Sequence, residues 1–125
     1  ILDEVLALEP EGIAARQGDD NFIDVINWMV SALLMAEENG ITQANVDQVK
    51  SNPPSASVGR LLGVSPGIGD RLGLSNDWAY KVIKAVGNYG EIYERNVGVH
   101  TQLGLERGLN ALWTKGGLMY AAPIR

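Results

Sequence analysis

The longest stretch of regular apolar spacing lies between Asn21 and Asn39. Phe22, Ile26, Met29, Val30 and Leu33 recur there at the helical period, and Asp24, Asn27, Ser31 and Glu38 leave only a narrow polar stripe. Ile23, Trp28 and Leu34 add apolar surface outside that face, so the segment predicts a helix covered on most sides. Its ends carry their own chemistry. Asp19 or Asp20 can accept hydrogen bonds from the first free amides and meet the positive end of the helix dipole, while Asn39-Gly40 offers a residue able to take the left-handed stop.

Shorter units flank this helix. Ile1-Leu2 with Val5-Leu6-Ala7-Leu8, then Glu9-Pro10-Glu11-Gly12, then Ile13-Ala14-Ala15-Arg16, predict two short extended segments around a turn, a pair too short to be stable without neighbours. Beyond the helix, Ile41 and Val46 stand at the spacing of a hydrophobic staple around an N-cap at Thr42, and Asn52-Pro53-Pro54 ends the short helix that follows. Ser55 caps a second short helix from Ala56 to Leu62, stopped by Gly63, and Ser65-Pro66-Gly67-Ile68-Gly69 is a loop. Ser75 is the expected cap of a helix from Asn76 to Val86, with Ala79, Val82, Ile83 and Val86 inside and Lys81 and Lys84 outside. Gly87-Asn88-Tyr89-Gly90 interrupts it, and Glu91 to Asn96 forms another short helix. Leu105, Leu109, Leu112 and Trp113 predict a last helix stopping at Gly116-Gly117, with an extended tail from Leu118 to Arg125. The expected fold is therefore mainly α: five or six mostly short helices, a short amino-terminal strand pair, one compact unit. Helices this short depend on tertiary packing, which fits either an independent helical domain or elements wrapped on a larger body.

Composition narrows the chemistry. A chain of 125 residues with 46% hydrophobic residues can bury one core, and no apolar run is long enough to span a bilayer. There is no cysteine and His100 is the single imidazole, which removes thiol nucleophiles, thiolate metal sites and most imidazole chemistry. No metal and no cofactor are expected. Residues 1–47 hold ten acids against one base, Arg16, whereas nine bases face five acids from Lys50 onward, so the two parts could attract one another or present different surfaces. The formal net charge of −5 disfavours nucleic acid as a partner. With no initiator methionine and no basic-then-apolar leader, the chain is expected to start after processing or inside a longer protein.

Three constellations bear on catalysis or binding. Pro66-Gly67-Ile68-Gly69-Asp70-Arg71-Leu72-Gly73 lacks the third glycine of a dinucleotide loop and the Gly-Lys-Ser/Thr of a P-loop. It resembles the hairpin of helix-hairpin-helix DNA-binding modules, whose backbone amides face a phosphate. Gly73 stands where that family prefers alanine, and Ser75-Asn76 restarts the helix. Glu91 and Glu94, one turn apart beside Tyr89 and Tyr93, have the spacing of an acid–base pair, but Asn88, Arg95 and Asn96 around them fit a hydrogen-bonded surface turn better. His100, without a partner in any recognisable motif, reads as a loop residue. No catalytic residue is assigned.

Taken whole, the chain resembles the carboxy-terminal part of the periplasmic substrate-binding proteins of general L-amino acid ABC transporters. Residues 12–22, G-I-A-A-R-Q-G-D-D-N-F, are similar to the segment that returns through a hinge strand into a long helix. Residues 72–98, L-G-L-S-N-D-W-A-Y-K-V-I-K-A-V-G-N-Y-G-E-I-Y-E-R-N-V-G, resemble the extension of the general amino-acid subgroup. Residues 106–125, E-R-G-L-N-A-L-W-T-K-G-G-L-M-Y-A-A-P-I-R, resemble its carboxyl terminus.

The resemblance implies a fragment of an α/β two-lobed binding-protein fold, with 1–41 as hinge-return strands and long helix and 42–125 as a helical extension. It implies a protein that is not an enzyme, that captures an L-amino acid in the periplasm, closes by hinge bending and delivers its cargo to an inner-membrane permease. The residues that grip the amino acid in that family lie upstream of the hinge return, so no ligand-binding residue is expected in this chain. Arg16 is a weak candidate for a carboxylate clamp, and an ion pair with nearby Asp or Glu is the plainer reading. The apolar helix of 21–39 is the surface through which copies could associate as a homo-oligomer. The alternative is an independent helical interaction module, including helix-hairpin-helix nucleic-acid binding through Pro66–Gly69.

Overall fold

In the computed structural model, which describes residues 10–124, five α-helices and three single 3-10 turns are joined by glycine- and proline-containing loops. Helix α1 runs Asp20–Glu38. Of the two aspartates expected to cap it, Asp19 does so, its Oδ1 accepting from the Phe22 amide at 3.1 Å. At the other end Gly40 turns left-handed (φ 64°), the Gly40 amide donates to the Glu37 carbonyl at 3.0 Å, and the Ile41 amide donates to the Ala36 carbonyl at 2.8 Å. This paired closure drives the wholly buried Ile41 back against the last turn.

Helix α2 (Val46–Ser51) is entered through a reciprocal cap. The Thr42 amide donates to Asn45 Oδ1 at 2.7 Å and the Asn45 amide donates to Thr42 Oγ1 at 3.3 Å, so Thr42 caps a turn and the helix proper begins later than expected. Helix α3 (Ala56–Leu61) is capped by Ser55, which accepts from the Val58 amide at 3.2 Å. Helix α4 (Trp78–Val86) starts at Trp78 rather than Asn76. The Ser75 carbonyl, not its side chain, receives the Trp78 amide, and Ser75 Oγ accepts from Lys81 Nζ instead.

Helix α5 (Tyr89–Asn96) also differs from expectation, because Tyr89 and Gly90 are its first turn rather than a break. Asn88 and Glu91 form a full capping box, the Glu91 amide donating to Asn88 Oδ1 and the Asn88 amide to Glu91 Oε2, both at 2.9 Å. The four carbonyls at the end of α4 are all matched. Gly87 donates to Ile83, Gln43 Nε2 donates to both Lys84 and Ala85, and Arg95 donates to Val86.

The expected last helix through Leu105, Leu109, Leu112 and Trp113 is absent. The chain makes only single 3-10 turns at Gly108–Asn110 and Trp113–Lys115, with Ala111 and Leu112 extended between them (ψ 159° and 148°). Gly108 at φ 47° cannot continue a right-handed helix, and Arg107 captures the Asn110 carbonyl that a helix would need. Only Leu112 of the four leucine and tryptophan positions is buried. The first extended segment predicted at the amino terminus lies outside the described residues. The second, Ile13–Arg16, is exposed and irregular, with no strand partner among the described residues to take up its backbone groups.

The core gathers where α1, α4 and α5 pack, with α2 against α4. Its members include Leu33, Met35 and Ala36 of α1, Ile41, Val46, Val58, Leu61, Leu62, then Trp78, Ala79 and Ile83 of α4, and finally Ile124. Of the predicted inner face of α4, Ala79 and Ile83 are buried, Val82 is partly buried and Val86 is exposed. Ala32 through Ala36 are buried consecutively, so the carboxyl half of α1 is enclosed all round. Its amino half is not.

Candidate functional site

The exposed half of α1 borders an open groove of about 780 Å³. Ile26, Val30 and Leu34 form its α1 side, Tyr89 of α5 and Met119 and Tyr120 of the tail form others, and Phe22 nearby is 52% exposed. Asn27, Ser31, Asn110 and Glu11 are the polar groups at its margin. That set offers hydrogen bonds along an apolar trough, but no nucleophile–base pair and no converging opposite charges.

The side chains singled out from sequence do not meet there. Arg16 is exposed and makes no ion pair within 4.0 Å among the described residues, so the plainer reading of it as an ion-pair partner finds no counterpart there. Glu91 is committed to the α5 cap and also accepts from the Gln43 amide at 3.0 Å, while Glu94 is exposed. Glu91 thus belongs to a cap, as the Asn88-x-x-Glu91 pattern already encodes, and Glu94 takes no part in it. His100 is an exposed loop residue. No cluster of three or more metal-ligating side chains occurs among the described residues, and no described helix is long and apolar enough to cross a membrane.

The glycine octet lacks the second helix of a helix-hairpin-helix module. Asp70–Leu72 is one 3-10 turn rather than a second helix, and the amides of Arg71, Leu72, Gly73 and Leu74 donate to carbonyls of Ile68, Gly69 and Asp70. The helix-hairpin-helix alternative gains no support from this geometry.

The charged groups serve packing. Two of the three ion pairs among the described residues join the acidic first part of the chain to the basic remainder, Asp47–Lys84 at 2.9 Å and Glu37–Arg107 at 3.0 Å. Hydrogen bonds from Lys84 and then Tyr80 hold the Asp47 carboxyl below its usual value, and the bond to Asp47 raises Lys84. Asp77 is pulled down to about 2, first by its hydrogen bond with Ser75 and then by Lys81. Lys50 sits 3.7 Å above the Tyr80 ring, completing a surface network that ties α2 to α4. These shifts come from structural pairs in open solvent, away from the groove.

No protein-family model matches the chain. A solved ABC-transporter periplasmic binding protein from Brucella ovis, with glutathione bound, matches 99% of the chain at a TM-score of 0.91 and 52% identity, and the chain covers 39% of it. The fold is therefore that of part of a periplasmic binding protein. The curated relatives carry names that refer to amino acids. Across its whole length the chain is 56% identical to the general L-amino acid-binding periplasmic protein AapJ of Rhizobium johnstonii. It is 49% identical to the glutamate/glutamine/aspartate/asparagine-binding protein BztA of Rhodobacter capsulatus, and 46% identical to the putative amino-acid ABC transporter-binding protein YhdW of Escherichia coli K12. The chain spans about 37% of the length of these relatives. The resemblance read from residues 12–22, 72–98 and 106–125, to the carboxy-terminal part of an amino-acid-binding protein, agrees with the curated relatives.

Proposed function

We propose that this chain is the scaffold portion of a periplasmic L-amino-acid-binding protein serving an ABC importer, with residues 1–41 supplying the hinge return and long helix and 42–125 the helical extension. The amino acid is held by residues outside this chain, passes to an inner-membrane permease, and undergoes no chemical change. No residue here is a catalytic or metal ligand, no cofactor takes part, and Arg16 contributes no carboxylate clamp. The observation that carries this reading is the full-length match at 56% identity to a general L-amino acid-binding protein. The local geometry supports it: among the described residues Lys84, Lys81 and Arg107 are each spent on an internal pair, and the open trough beside α1 lacks the opposed charges that an amino-acid zwitterion requires.

Calorimetry with L-glutamate, L-glutamine and a panel of other L-amino acids tests it. The longer protein encoded around this chain is expected to bind at least one with one-to-one stoichiometry, and the 125-residue chain none. Stoichiometric binding by this chain alone would place the site within it, and a longer protein that binds no amino acid would remove the transport reading.

A further inference from the structure

Residues 97–124 contain no α-helix and no named strand, yet they hold one course across the helical body. From Val99 onward, the backbone-to-backbone hydrogen bonds among the described residues stay inside the segment. Leu105 donates to Val97, Trp113 to Met119, Gly117 to Leu112, Leu118 to Leu109 and Met119 to Ala111. The segment is thus knitted to itself in two consecutive stretches, 97–105 and 107–119. Its grip on the helices comes from elsewhere. Leu112 and Ile124 are its only large buried side chains, Ala121 packs half-buried against the core, and polar ties add to these.

The strongest tie is Arg107. Its Nη1 and Nη2 meet Glu37 Oε1 and Oε2 at 3.0 and 3.1 Å, with the two side chains only 18% and 9% exposed. The guanidinium lies 5.3 Å from the Tyr89 ring centre and 5.1 Å from that of Tyr93, and it also donates to the Asn110 carbonyl. Gly90 leaves the room, since a Cβ there would stand 2.8 Å from Arg107 Nη1. Weaker ties flank it: Tyr93 Oη donates to the Glu106 carbonyl, the Ala121 amide to Glu38 Oε1, and Arg60 Nε to the Ile124 carbonyl. Glu37 and Glu38 lie in the last turn of α1, which has no basic residue of its own, so the segment also brings the positive charge that this helix end lacks.

We propose that residues 97–124 are a strap that opens and closes as one cooperative unit on the helical body, with the Arg107–Glu37 pair as its latch. Asn110, Met119 and Tyr120 carry the strap's side of the groove beside α1, so opening the strap removes that wall and leaves the helices folded. Internal hydrogen bonding with few buried attachments is the pattern of a low-energy opening unit. The inference is independent of what the longer protein binds.

Amide exchange on the protein as expressed from its gene separates this unit from the rest. Strap amides, such as those of Leu105, Trp113 and Met119, are expected to exchange together and faster than the amides of α4. Glu37→Gln leaves a nearly buried guanidinium without its counter-charge and should speed strap exchange on the order of a hundredfold. Arg107→Lys, which loses the two-point contact, should act in the same direction if the first variant fails to fold. Ile83→Val, trimming a core residue that the strap opening leaves buried, should speed α4 exchange about threefold to tenfold while leaving the strap unchanged. Strap amides that accelerate with Ile83→Val as much as α4 does would show that they open only by global unfolding, and unchanged strap exchange in both latch variants would remove the latch.

Discussion

Replacing Asn88 tests whether one side chain fixes the junction between α4 and α5. It is 5% exposed, its Oδ1 accepts from the Glu91 amide at 2.9 Å, and its Nδ2 donates to the Ile41 carbonyl at 2.8 Å. Asn88→Ala loses an N-cap, worth about 1 kcal/mol. It also strands a buried carbonyl at Ile41, which costs about 1–3 kcal/mol. The total of about 2–4 kcal/mol is a large share of the roughly 5–15 kcal/mol that holds a domain together. For a chain of this size each kcal/mol moves the midpoint by about 4 °C, so the melting temperature should fall by about 8–16 °C. Asn88→Ser keeps an acceptor at the cap but is too short to reach Ile41, so it should retain the cap contribution and lose only the larger part. Urea and thermal unfolding followed by far-UV circular dichroism give both numbers. A loss below about 1 kcal/mol for Asn88→Ala, or a serine variant as stable as the parent, would refute the assignment of two separable bonds.

Asp77, held down to about 2, contributes stability that is complete above the unfolded carboxyl value near 4 and is lost as pH falls toward 2; Asp77→Asn should flatten the acid limb of the stability profile, and an unchanged limb would show that the Ser75 and Lys81 contacts do not survive in solution. The 125-residue chain prepared alone should self-associate through the uncovered amino half of α1, and Phe22→Glu should shift it to monomer in light scattering; a parent chain already monomeric at high concentration would remove that interface.

Elements whose ends are written in a few adjacent residues were legible. Asp19 and the Asn39-Gly40 stop bound α1 as expected, and Ser55 and Gly63 bracket α3, because capping uses side chains and conformations local to the chain. The nearly all-round apolar surface of α1 predicts cover on most sides, and among the described residues that cover is found along Ala32–Ala36 and not over the amino half. Two misses have different causes. The α5 boundary was present in Asn88-x-x-Glu91, but Gly87 and Gly90 on either side of the cap imitate a longer interruption. The leucine spacing at 105–113 imitates a helix, while the backbone there is set by Arg107 reaching Glu37, a residue 70 positions away. No local pattern carries such a pairing. The groove was illegible for the same reason, since its walls come from α1, α5 and the tail together.

The uneven burial of α1 gives the chain a mechanical character. A helix of 19 residues is a rod of about 28 Å, and this one is buried along Ala32–Ala36 and far more open from Asp20 to Ile26, where Phe22 is exposed and Ile23, Val25 and Ile26 are half-buried. It works as a dowel, one end set in its own block and the other shaped for a socket. Seated in such a socket, the rod would make the helical body follow each tilt of the neighbour that holds its free end, with no hinge between them.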